Sequence, residues 1–187
     1  MNKTQKTIIG VGAISLCSIF FVQFLPNLGN NINQLSSASP SSEWATYSDK
    51  GVTFQYPSSW TVEFAEQNGG GIDVRNPQTM ENGISIGLPS QPTQDISHQY
   101  PTLKDYATDI IGKMALVTVV EDFTDKTIGG SPAVMGKVTM GPIISTMAFI
   151  DYNGQIYMLG YSDLADHYET IDSKKIEASF FFSFSFI

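Results

Sequence analysis

The chain has 187 residues, 42% of them hydrophobic and 15% charged, enough for one packed domain with a short appendage and too apolar for wholesale disorder. From Glu43 onward 8 basic side chains stand against 18 acidic ones, a charge of −10, because Lys3 and Lys6 precede that point. Such a surface repels phosphate backbones and anionic lipid, which argues against nucleic acid as a partner. The single cysteine, Cys17, cannot form an intrachain disulfide, and Leu16 before it is too large for a lipoprotein attachment site.

Residues 1–7 carry Lys3 and Lys6, and residues 8–25 form an 18-residue run without a formal charge. As a helix this run would be about 27 Å long, close to the roughly 30 Å of a bilayer core. No basic residue follows until Lys50, so the positive-inside rule places residues 1–7 in the cytoplasm and the remainder outside. The expectation is a single-pass cell-membrane anchor at 8–25, or an uncleaved signal. A cleaved signal peptide is the competing reading, with Ser36-Ser37-Ala38 as its best cleavage site, and it exports the domain equally. Residues 26–42 are rich in Asn, Ser, Pro and Gly and read as a flexible linker to a domain at 43–187.

Within that domain, 52–54 and 60–64 are short strand-like runs joined by a turn at Tyr56-Pro57-Ser58-Ser59. The glycines at 69–71 mark a loop, 72–75 and 84–88 are further strands, and 89–101 is a polar connection. Leu103, Tyr106, Ala107, Ile110, Ile111 and Met114 form one helical apolar stripe, with Thr102 and Asp105 positioned to cap its start. Strands follow at 116–123, 134–140, 146–152 and 155–161. The last two flank Asn153-Gly154, a strong signal for a two-residue hairpin. That turn would pair Ile150 with Tyr157, Ala148 with Leu159, Phe149 with Met158 and Asp151 with Ile156. Both faces are mostly apolar, so the sheet must be covered on both sides. A second helix is expected at 166–179, capped by Asp166 and Glu169, with Tyr168, Ile171 and Ile176 on its apolar face. Phe180, Phe182, Phe184 and Phe186, alternating with residues that include Ser183 and Ser185, then read as a closing strand.

Three pieces, in order, resemble one family. They are Gly51-Val52-Thr53-Phe54-Gln55-Tyr56-Pro57-Ser58-Ser59-Trp60, then Ile128-Gly129-Gly130-Ser131-Pro132-Ala133, then Ile176-Glu177-Ala178-Ser179-Phe180-Phe181-Phe182. With the helix at Leu103 and the Asn153-Gly154 hairpin, 44–182 is similar to PsbP-like domains, most of all the membrane-anchored PsbP-related proteins of archaea and bacteria. The resemblance implies an α/β (α+β) fold, an α/β/α sandwich whose central antiparallel sheet is flanked by helices. The best-known relatives are extrinsic lumenal proteins of photosystem II that help retain calcium and chloride, and a nuclear cousin binds the small GTPase Ran. This chain lacks a transit peptide or twin-arginine signal, so only fold and binding character carry over.

The chemistry-bearing residues are sparse. His98 and His167 are the only histidines, which rules out a multi-histidine metal site. Asp163, Asp166, His167, Glu169 and Asp172 form an acidic cluster that could hold calcium or manganese through oxygen, or simply cap a helix N-terminus. Glu121, Asp122 and Asp125 read as a solvated strand end. Ser131 lacks the second half of a nucleophile elbow, and Pro132 would block the helix that must follow one. Trp44, Tyr47, Tyr56 and Trp60 could line a ligand cleft, or belong to core and rim.

The expected function is a non-catalytic, membrane-tethered extracytoplasmic module. It would dock as a monomeric domain on an integral-membrane or membrane-associated protein complex, without a cofactor. The alternatives are a metal-dependent or hydrolytic enzyme using the cluster from Asp163 to Asp172, and a small-ligand or calcium-binding domain.

Overall fold

The computed structural model describes residues 43–65, 70–79, 82–89 and 99–187. The expected anchor at 8–25, the linker at 26–42 and His98 lie outside these residues. No helix among the described residues is long and apolar enough to cross a membrane.

The centre of the fold is the hairpin of β8 (Ile143–Tyr152) and β9 (Gln155–Leu164). Its four expected pairs all form: Ile150 with Tyr157, Ala148 with Leu159, Phe149 with Met158 and Asp151 with Ile156. Asn153 and Gly154 take φ of 54° and 74°, the two positive values a type I′ turn requires, and the Asp151 carboxylate accepts from Gly154 N–H at 3.1 Å. The remaining strands build outward from this pair. They are β3 (Thr61–Ala65), β4 (Gly71–Arg75), β5 (Gly83–Gly87), β6 (Thr118–Ile128) and β7 (Ser131–Met140). The seven strands run in the order β3-β4-β5-β9-β8-β7-β6, every pair antiparallel. β6 is an edge strand, and its register with β7 shifts between Val119 and Glu121 and again between Glu121 and Thr124.

Both faces are covered. On one, α1 (Leu103–Gly112) packs across β6, β7 and β8. Every residue of its expected stripe joins the core there, with Ala107, Ile110, Ile111 and Met114 buried against Phe123, Val134, Val138, Met147, Phe149 and Met158. Its start is capped as expected, Thr102 Oγ1 accepting from Asp105 N–H at 3.1 Å. On the other face lie α2 (Ile171–Ser183) and a second sheet of β1 (Trp44–Asp49), β2 (Val52–Pro57) and β10 (Ser185–Phe186), in the order β1-β2-β10. The core on this side joins Val52, Phe54, Phe180, Phe181 and Phe184 to Ile84, Ile86, Ile150, Leu159 and Tyr161.

Three sequence expectations need correcting. The helix expected at 166–179 starts later: Tyr168 N–H and His167 N–H both bond Leu164 C=O in a tight turn, and Thr170, not Asp166, caps α2 by accepting from Ser173 N–H at 3.3 Å. It also ends later. Phe180, Phe181 and Phe184, at helical spacing, are buried, whereas Phe182 is 93% exposed, so the run expected as a strand from 180 is helix to Ser183 and strand only at Ser185–Phe186. Strand β1 had no counterpart in the sequence reading. It is held by a tight turn in which Lys50 takes φ 53° and its N–H bonds the Asp49 carboxylate at 2.7 Å.

Candidate functional site

The hairpin register continues past its expected pairs and creates a polar row. Thr146 faces Tyr161 across β8 and β9, Lys137 faces Thr146 across β7 and β8, and Glu121 faces Lys137 across β6 and β7. Paired residues share a face, so this row lies on the α2 side. The row starts in the core at Tyr161 and ends at the open edge with Glu121, whose carboxylate accepts from Lys137 Nζ at 2.6 Å.

The turn before α2 and the helix itself close over this row. Tyr168 is fully buried, and its hydroxyl donates to Glu177 Oε1 at 3.0 Å. Thr146 Oγ1 hydrogen-bonds both that hydroxyl and the Glu177 carboxylate. Lys174 Nζ lies 4.1 Å from the Tyr168 ring centroid and Lys137 Nζ 5.7 Å from it, so two ammonium groups approach the ring within cation–π range. Lys174 is also paired with Glu169 at 3.1 Å and with Glu177 at 3.4 Å. One strand over, Tyr161 Oη and Ser173 Oγ are 2.7 Å apart, and the same hydroxyl donates to Asp163 Oδ2 at 3.3 Å.

Burial holds the two phenols of this constellation in their protonated form. Burial, with the charge of Glu177 nearby, pushes the Tyr168 phenol far above its ordinary value. Burial and then Asp163 do the same to Tyr161. Both phenols stay protonated and serve as hydrogen-bond donors across the neutral range. Lys137 is held above the usual lysine value by its bond to Glu121, and stays charged. No buried side-chain oxygen or nitrogen among the described residues lacks a partner.

The residues singled out by sequence fall into separate places. Asp163 is buried, its Oδ1 accepting from Leu164 N–H at 2.8 Å. Asp166, His167, Glu169 and Asp172 are exposed, Glu169 committed to Lys174 and Asp172 in the first turn of α2. Among the described residues no three His, Cys, Asp or Glu side chains are grouped to hold a metal ion. Glu121, Asp122 and Asp125 lie exposed along β6. Ser131 opens β7 opposite Ile128, just after the Gly129-Gly130 turn, where a Cβ on Gly129 would meet Phe184 O at 3.2 Å. Trp60 is buried, Tyr47 stacks on Phe54 at 5.1 Å, Tyr56 lies 6.2 Å from the same ring, and Trp44 sits under Lys175 at 5.8 Å; all four belong to core and rim.

Sequence reasoning missed Thr146, Tyr161, Tyr168, Lys137, Lys174 and Glu177. One signal was available: extending the Asn153-Gly154 register outward pairs Thr146 with Tyr161 on the face otherwise occupied by Ala148 and Ile150. A second unflagged group is Asp73 on β4. Its carboxyl is held above the ordinary range by burial, although Arg75 Nη2 lies 3.4 Å away and pulls the other way.

The class is an antiparallel sheet with a helix packed on each side, and a second small sheet beside one of them. No protein-family profile and no curated protein matches this chain. Among solved structures, the chain is similar to cyanobacterial PsbP (CyanoP) from Synechocystis sp. PCC 6803, at 14% identity and a TM-score of 0.52, covering 82% of this chain and 98% of that one. It is also similar to LpqN, involved in cell envelope biogenesis of Mycobacterium tuberculosis, at 14% identity and a TM-score of 0.47, covering 76% and 89%. The chain has a PsbP-like fold.

Proposed function

We propose that this protein is a non-catalytic binding and assembly module, tethered to a membrane by residues 8–25 and docking its extracytoplasmic domain on a membrane protein complex. The observation that carries the non-catalytic half is the commitment of the buried reactive groups. Thr146, Tyr161, Tyr168 and Glu177 are bonded to one another or to α2, and burial holds both phenols protonated. The tether is supported by the 18 uncharged residues after Lys3 and Lys6. The charge of −10 from Glu43 onward suits a partner with basic extracytoplasmic loops.

In-cell crosslinking with partner identification tests this reading, and a membrane protein is the expected adduct. Association of the purified pair should slow as salt rises, because exposed charges are screened over about 8 Å at physiological ionic strength. Specific turnover of an ester, peptide or phosphate substrate that is lost in His167→Ala or Ser131→Ala would overturn it.

A further inference from the structure

The outer side of α2 carries apolar residues that the fold does not use. Ile171, Lys175, Ala178 and Phe182 recur at i, i+4, i+7 and i+11, one stripe about 16 Å long. All four are exposed, Ile171 at 86% and Phe182 at 93%. The helix is already fastened to the core by Phe180 and Phe181, so neither exposed side chain is needed to hold it.

The first described residues, Glu43 and Trp44, lie at this stripe. Glu43, the residue that follows the linker, bonds Lys175 Nζ through Oε1 at 2.5 Å, and the same ammonium lies over the Trp44 ring. Lys175 is the middle of the stripe. The 17 linker residues at 26–42 separate this point from the apolar run at 8–25. Seventeen residues of this Asn-, Ser-, Pro- and Gly-rich composition, taken as a random chain, would have a root-mean-square reach of about 23 Å.

Resting on the tether reading above, we infer that the outer face of α2, from Ile171 to Phe182, lies on the headgroup–acyl boundary of the bilayer that holds the N-terminal segment. A second copy is a poor occupant. Two separated apolar side chains flanking a lysine fall well short of the roughly 1,200 Å² that a stable protein interface buries. A membrane contact needs no such area, because a short tether supplies an effective concentration in about the millimolar range and populates a weak contact. The domain's negative charge selects zwitterionic rather than anionic lipid as the surface.

The test uses the full chain reconstituted into phosphatidylcholine vesicles, with the photocrosslinking residue benzoylphenylalanine replacing Phe182, Ile171 or, as a control, the exposed Val120 of β6. Lipid adducts at 182 and 171 should exceed those at 120 by about tenfold, since only the α2 face reaches the ~5–10 Å deep interfacial layer. Equal lipid adducts at all three positions, no lipid adduct at 182 and 171, or adducts there only to a second copy would overturn the inference. Alkaline carbonate washing separates the two readings. A chain retained in the membrane without lipid adducts at 182 and 171 sinks this inference alone. A chain released by carbonate sinks the tether, and this inference with it.

Discussion

The seven-stranded sheet is closed by different chemistry beneath its two helices. Beneath α1 the contacts are apolar: Phe149 is 1% exposed and meets Phe123 and Tyr106 edge-on at 5.6 Å and 5.9 Å. Beneath α2 the aromatic core gives way to a row of hydroxyls and charges, Tyr161, Thr146, Lys137 and Glu121, capped by Tyr168 and Glu177. An apolar face tolerates small slips in how a helix sits, because dispersion and burial are non-directional. A hydrogen-bonded face admits one seating, since every buried donor and acceptor must find its partner. Holding α2 in one register also fixes where Glu43, bonded to Lys175, joins the domain.

The comparison is broken most directly on the apolar side. Phe149→Ala should cost about 3–5 kcal/mol, read as a drop in the denaturation midpoint. Glu177→Ala on the polar side should cost less, about 1–3 kcal/mol, by leaving the Thr146 and Tyr168 hydroxyls without their carboxylate acceptor. A cycle with Thr146→Val should show strong non-additivity, and additive effects would mean that the two residues do not act as one unit. The caps provide a control that belongs to neither face. Thr102→Ala and Thr170→Ala should each cost about 0.5–2 kcal/mol, and a much larger loss at Thr170 would show that the α2 cap and the polar latch form together.

The smallest effect is a pH slope. The folded pKa of Asp73 is raised above 3.8, so the fold binds its proton more tightly than the unfolded chain does. Its contribution to stability is therefore complete below that value and is lost as pH rises through the folded pKa. Thermal midpoints of Asp73→Asn should fall less steeply than wild type over that acid window; parallel profiles would show that Asp73 is not the group responsible.

What could be read from sequence follows the same division. The α1 stripe and the Asn153-Gly154 hairpin are local signals, an apolar period of 3.6 and a turn with a fixed backbone demand, and both appear as expected. The end of α2 was misread because Phe180, Phe182, Phe184 and Phe186 also satisfy a period of two. Only the burial of Phe181 and the exposure of Phe182 reveal the helix. Strand β1 has Thr46 and Ser48 exposed and Trp44 and Ala45 half-buried, a weak alternation beside a turn formed by Lys50 rather than Asn. The polar latch is non-local: Lys137, Thr146, Tyr161, Tyr168 and Glu177 come from three strands' worth of register and a helix position that itself was shifted.

An open sheet has two rims, and β6 shows how one of them is kept from recruiting a stranger. A strand added there would have to match an edge that changes step twice between Val119 and Thr124. It would also have to bring its own backbone alongside Glu121, Asp122, Asp125 and Lys126. Irregular spacing and charge are two of the devices by which sheet edges refuse partners. A second copy of this domain therefore finds no regular ladder to extend along β6.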